Sequence, residues 1–134
     1  MSRVLVDTSV WVEMLRGEDS EPVRTLGDLL SRGLVCTNGL ILAELLSGAK
    51  SQADYARLED HLSALPYLND PPELWETIAS SRCALARKGF QAGIADLIVA
   101  ASAAHHRKPL FTLDKAFQDI KTSLPLELLP IGGH

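Results

Sequence analysis

Four carboxylates in this chain stand where acids could do chemistry. Asp7 follows the apolar run Val4-Leu5-Val6 and precedes Val10, Trp11, Met14 and Leu15, which recur at helical spacing. Asp114 repeats that situation, after Pro109-Leu110-Phe111-Thr112 and before Phe117 and Ile120. Glu44 is the single charge between Gly39 and Ala49, and Asp96 opens the apolar stretch LIVAASAAHH. Each has a plain structural use. Asp7 and Asp114 suit Asx turns or helix N-caps, with Thr8 and Ser9 able to cap in place of Asp7. Asp96 suits the first turn of a helix, facing the positive end of its dipole. Glu44 is harder to place, because an unpaired carboxylate buried in an apolar helix is costly or must protonate.

Taken together the acids say more. Four carboxylates meeting at one edge of a sheet cannot all ionise without cations between them. Oxygen-only ligands suit Mg²⁺, with Mn²⁺ as a substitute. The chemistry that uses such a pocket is in-line attack on a phosphodiester, where metal lowers the pKa of the attacking water and stabilises developing oxyanions. Other candidates carry less. His105-His106 ends a helix, where imidazolium complements the dipole. Cys36 and Cys83 have no zinc-type spacing, and in apolar segments they read as two buried, reduced thiols. No glycine-rich phosphate loop is present.

The elements that must position these acids alternate between strand and helix. A second helix is expected from Ser20, with Pro22 in its first turn and Gly33 ending it. Leu34 to Thr37 reads as a strand, with Asn38-Gly39 a turn out of it. Gly39 to Lys50 is apolar nearly all round and is expected to be a buried helix. Ser51 to Leu65 is a more polar helix with Tyr55, Leu58, Leu62 and Leu65 as its apolar face. A short strand at Leu65 to Leu68, a long helix from Pro72 or Glu73 to about Lys88, stopped by Gly89, and the Ala-rich helix from Asp96 follow. Pro109 to Thr112 forms a strand, a short helix carries Phe117 and Ile120, and a last edge strand runs from Glu127 to Ile131, bracketed by Pro125 and Pro130. This alternation predicts an α/β fold with a mostly parallel sheet. The C-terminal ends of its strands are where ligands bind in such sheets.

The 134 residues fit one domain, 1–134. With 46% hydrophobic and 22% charged residues the composition is that of an ordinary globular protein. No apolar run spans a bilayer and no signal-peptide pattern precedes the first strand, so a cytoplasmic location is expected. A net charge of −4 argues against a broad basic nucleic-acid surface. It leaves a nuclease open, since metal-binding carboxylates add to the negative count and the metal inverts the local field.

The segments VLVDTSVWVE, ILAELLSG, ALARKGFQAGIADLIVAASA and PLFTLDKAF, in this order and spacing, resemble a PIN-domain ribonuclease. More closely they resemble the VapC-type toxin of bacterial toxin–antitoxin modules. The resemblance spans essentially the whole chain. It implies a three-layer α/β/α sandwich around a short parallel sheet, and a metal-dependent endoribonuclease kept inactive by a cognate antitoxin. It places the site acids at Asp7, Glu44, Asp96 and Asp114, with the hydroxyls of Ser9 and Thr112 hydrogen-bonding them. Cleavage would leave a 5′-phosphate and a 3′-hydroxyl. Many members also carry an acid where this chain has Ala116. The family usually dimerises, which implies a homodimer through the helices at Ser51 to Leu65 and Glu73 to Lys88. Rival readings are a phosphotransfer domain and a catalytically silent PIN-like binding module. Haloacid-dehalogenase phosphatases need a second Asp where Ser9 stands, and a receiver domain needs an acidic pair at the end of its first strand. The presence of all four acids speaks against a silent module.

Overall fold

The computed structural model describes residues 2–130. Four strands, β1 (Val4–Val6), β2 (Val35–Asn38), β3 (Tyr67–Leu68) and β4 (Leu110–Phe111), form one all-parallel sheet in the order β3-β2-β1-β4. Seven helices connect them: α1 (Thr8–Leu15), α2 (Glu21–Ser31), α3 (Gly39–Ser47), α4 (Gln52–Ser63), α5 (Leu74–Arg87), α6 (Ile94–His105) and α7 (Ala116–Ile120). From β1 the chain steps outward to β2 and β3, then returns to the other side of β1 as β4. Right-handed crossovers therefore lay the two sets of helices on opposite faces, giving the three-layer α/β/α sandwich. The direction of winding reverses between β1 and β4, and a doubly wound sheet opens a crevice at that point.

The sheet is buried on both faces, so its strands read as continuous apolar runs rather than alternating ones. Val4, Leu5, Val6, Cys36, Leu110 and Phe111 are all fully enclosed. Leu26, Ile41, Leu85, Leu97, Phe117 and Ile120 bring the helices onto them, each burial stabilising by about 1.5–3 kcal/mol. The helix stops are those expected. Ser20 caps α2 by accepting from the Val23 N–H, and Gly33 (φ +68°) and Gly89 (φ +86°) supply the left-handed residues beyond α2 and α5.

Several expectations need correction. Asn38-Gly39 is not a turn. Asn38 ends β2, and its side-chain oxygen caps α3 by accepting from the Ile41 N–H at 3.0 Å, so strand runs into helix with no loop between. Helix α3 is not buried all round: Ile41 and Leu45 are buried, Leu40, Leu42 and Leu46 are only partly covered, and Glu44 is exposed. A short sheet covers one stripe of a helix, not its whole circumference. Likewise only Leu62 of the apolar face expected for α4 is buried, and Tyr55 is 42% exposed. Cys83 is exposed, because the inward stripe of α5 is Leu74, Ile78, Ser81 and Leu85. Cys36 is buried as expected, and desolvation pushes its thiol up to about 11. The last strand is reduced to a single parallel bridge from Leu128 to Leu110 on the outer side of β4, and Ile131 lies outside the described residues. Among the described residues no helix is long and apolar enough to cross a membrane.

Candidate metal-binding active site

The residues that end β1 and β4 meet where the winding of the sheet reverses. Asp7 follows β1 at once and is 7% exposed. It is the N-cap residue of α1, yet its side chain makes no capping bond. Instead its Oδ2 accepts two hydrogen bonds, from the Ser9 hydroxyl at 2.8 Å and from the Thr112 hydroxyl at 2.8 Å. The direction of these bonds is fixed by the backbone behind them. Ser9 Oγ accepts from the Leu113 N–H and Thr112 Oγ1 accepts from the Asp114 N–H, both at 3.0 Å. Each hydroxyl thus has its proton free for Asp7. The pairing of β1 with β4, Leu5 opposite Leu110 and Val6 opposite Phe111, sets Thr112 level with Asp7.

Asp114 lies at the same edge but is exposed. Its Oδ1 accepts from the Ala116 N–H at 2.9 Å, so the Asx-turn use open to both strand-end acids is realised at Asp114 and not at Asp7. Thr112 and Asp114 are joined by a local turn bond rather than by strand alternation, since β4 ends at Phe111. Glu44 projects from the surface of α3, and its Oε1 accepts from the Thr8 hydroxyl at 2.8 Å. Asp96 sits in the first turn of α6, whose packing against α3 brings it toward Glu44. Burial raises the Asp96 carboxyl above its ordinary range, and the negative charges of Asp114, Asp7 and Glu44 raise it further. All four acids therefore share one electrostatic neighbourhood. They do not close on a single point: among the described residues, no three His, Cys, Asp or Glu side chains form a ready-made cage.

The donor set suits a hard divalent cation. Every ligand atom offered is oxygen. The groups holding Asp7 and Glu44 are neutral hydroxyls, and among the described residues no Lys, Arg or His forms an ion pair with any of the four acids. Their charge is left uncompensated, the condition that positive charge between them relieves.

Beside the acids runs a cleft of ≈ 700 Å³ between the ends of α1 and α3 and one side of α4. Glu44 is the only one of the four acids on its wall; Val12, Leu15, Leu45 and Leu58 make it apolar, and Arg16, Lys50 and Arg57 stand on it with the carboxylates of Glu44 and Asp54. Within it Arg57 also pairs with Asp54 at 3.6 Å. Two arrangements were not legible in the sequence. One is the Thr8–Glu44 bond, whose partners are 36 residues apart. The other is a polar cluster in which Asp70 Oδ1 takes the Ser102 hydroxyl at 2.7 Å and lies 3.2 Å from His106 Nε2. His106, expected only to complement the dipole of α6, also ties the end of that helix to the loop before α5.

The PIN domain family matches residues 4–122. The chain is 36% identical over 113 residues to Ribonuclease VapC21 of Mycobacterium tuberculosis, an overlap of 81% of this chain and 82% of that protein. Among solved structures, a chain of VapBC from Salmonella typhimurium, crystallised bound to DNA, superposes with a TM-score of 0.77 at 23% identity, covering 96% of this chain and 98% of that one. A chain of VapBC2 from Rickettsia felis, bound to a DNA fragment from its promoter, gives 0.76 at 23% identity with the same coverage. The sheet order, the crevice between β1 and β4 and these likenesses lead to one assignment: the chain belongs to the PIN-domain family, among its VapC-type members.

Proposed function

We propose that this single domain is a divalent-metal-dependent endoribonuclease, with Asp7, Glu44, Asp96 and Asp114 as its metal-binding and catalytic acids. The observation that carries the reading is the set of four mutually repelling carboxylates at the winding reversal of the sheet, with Asp7 and Glu44 held by neutral hydroxyls and none of the four paired with a cation among the described residues. A bound Mg²⁺ or Mn²⁺ supplies charge stabilisation and a water acidic enough to attack phosphorus near neutral pH. Asp7, pinned through Ser9 and Thr112, is the fixed wall of the pocket. Glu44 and Asp96 close it from α3 and α6. Asp114, with one oxygen used on the Ala116 N–H, completes the negative field and orients the attacking water. Hydrolysis leaves a 5′-phosphate and a 3′-hydroxyl. The RNA strand follows the cleft that starts at Glu44, where Arg16, Lys50 and Arg57 meet its phosphates.

An antitoxin protein restrains the enzyme, and the acid pocket is the point at which it can act: an Arg on an extended segment pairs with carboxylates bidentately and blocks the RNA. The exposed Tyr55 of α4 and Trp75 of α5 offer apolar groups for a homodimer through those two helices. The deciding experiment is RNA cleavage by the purified chain in EDTA, then with Mg²⁺ or Mn²⁺ restored, with Asp96→Asn as control. Cleavage that depends on the cation and vanishes in the variant is expected. Undiminished cleavage in chelator would refute the proposal.

A further inference from the structure

We propose that Thr8 is a positioning residue for Glu44, its hydroxyl holding the carboxylate in place for the cation; this rests on the acidic pocket being a divalent-metal site. Glu44 is exposed, and a free Glu side chain samples many rotamers, whose loss on ordering is costly. A ligand pre-ordered by the protein spares the cation that cost. Thr8 is placed to provide the order. It is the first residue of α1, next to Asp7, and its Oγ1 donates to Glu44 Oε1 at 2.8 Å across 36 residues of chain. Within a helix a Thr hydroxyl commonly turns back onto the carbonyl of the preceding turn. At the first position no preceding turn exists, so the hydroxyl is free to reach α3.

The chemical type of the donor matters as much as its position. A hydroxyl bonded to a carboxylate orients it and leaves its charge whole. A Lys or Arg at this place would neutralise Glu44 and compete with the cation. The same device holds Asp7, through Ser9 and Thr112. With Oε1 engaged, Oε2 remains as the oxygen for the metal, and Thr8 tethers it beside Asp7.

The test compares Thr8→Val, which keeps the branched shape and removes the hydroxyl, with Thr8→Ser, which keeps the hydroxyl. Mn²⁺ binding to chelator-stripped protein is measured by calorimetry, with denaturant midpoints in EDTA alongside. Loss of an outer hydrogen-bond partner of a metal ligand weakens affinity about 10–100-fold, and Thr8→Val is expected at about 10-fold with Thr8→Ser within about 3-fold of the parent. The EDTA midpoint should stay near wild type in both. In a Glu44→Gln background, Thr8→Val should have no further effect on Mn²⁺ affinity. Wild-type affinity in Thr8→Val overturns the inference. So does an equal loss in Thr8→Ser, an undiminished effect in the Glu44→Gln background, or a midpoint that falls with the affinity, which marks Thr8 as structural. If Asp7→Asn and Asp96→Asn bind Mn²⁺ as tightly as the parent, the metal-site reading fails and Thr8 with it. If those variants lose binding and Thr8→Val does not, only the role of Thr8 is wrong.

Discussion

Asp7→Asn separates a metal ligand from a structural acid, and the hydrogen bonds around it decide which way the new side chain lies. Ser9 and Thr112 each accept from a backbone N–H and give their own proton to Asp7 Oδ2. The Asn carbonyl must take the Oδ2 place to keep both bonds, which turns the NH₂ toward the crevice. A donor then stands where the cation needs an acceptor. Lewis-acid stabilisation is worth several kcal/mol, so a loss of about 3–4 kcal/mol lowers the cleavage rate by about 10²–10³. Stability without metal moves the other way. No capping bond is lost, because Asp7 makes none. Two charge-assisted bonds become neutral ones, at about 1 kcal/mol each. Against this, a buried carboxylate costs several kcal/mol to desolvate, and its repulsion of Asp96 disappears. The balance is a metal-free fold as stable as wild type or about 1 kcal/mol more stable, read as an unchanged or higher denaturant midpoint in EDTA. An Asp7→Asn protein that cleaves RNA at the parent rate refutes the ligand assignment. A metal-free stability lower by more than about 1 kcal/mol refutes the electrostatic account.

Asp96→Asn gives the pH dependence. A carboxyl raised in the folded state adds stability below its ordinary value and loses it as pH rises through the raised one. In EDTA the variant should therefore match wild type at about pH 4 and below, then exceed it by a margin that grows as pH rises to the raised value and stays level above it; a pH-independent difference would contradict the raised carboxyl. Ser102→Ala removes a fully buried hydroxyl from Asp70 and should cost about 1–2 kcal/mol by denaturant midpoint, with Mn²⁺ affinity unchanged because the cluster is separate from the four acids. Light scattering at micromolar concentration should return the mass of a dimer, and Trp75→Glu on the exposed side of α5 should shift it toward the monomer; a monomeric wild type excludes the dimer surface.

Alternation of strand and helix, the stops at Gly33 and Gly89 and the acid after each of β1 and β4 were legible because they are local. Apolar runs bounded by turn residues fix strands, and a left-handed residue ends a helix wherever the chain later goes. The burial of α3 was not legible. Periodicity reports how much of a helix is apolar, whereas coverage depends on the width of the sheet beneath it. Cys83 was misplaced for a related reason: the inward stripe of α5 passes through Ser81, two residues away. At the site, the types and positions of the acids could be read, and the resemblance set the hydroxyls of Ser9 and Thr112 beside them, but what holds Glu44 could not be read. Thr8 looks like a capping residue in the sequence. Only the approach of α3 to α1 turns its hydroxyl toward Glu44.

The pairing of β1 with β4 has a consequence for how the protein comes into being. Asp7 is held by a residue 105 positions further along the chain, and β4 can enter the sheet only after nearly every other element has been made. A ribosome-bound chain carries Asp7 and Glu44 early, with β2 available to pair with β1. It lacks Thr112 to pin Asp7 and Asp114 to complete the field until synthesis is almost finished. Joining the first strand to the last is also the slow, long-range step of assembly. On the proposed site, a nascent or truncated chain that lacks β4 lacks two of the groups that build the pocket, and the pocket is completed only with the closing strand.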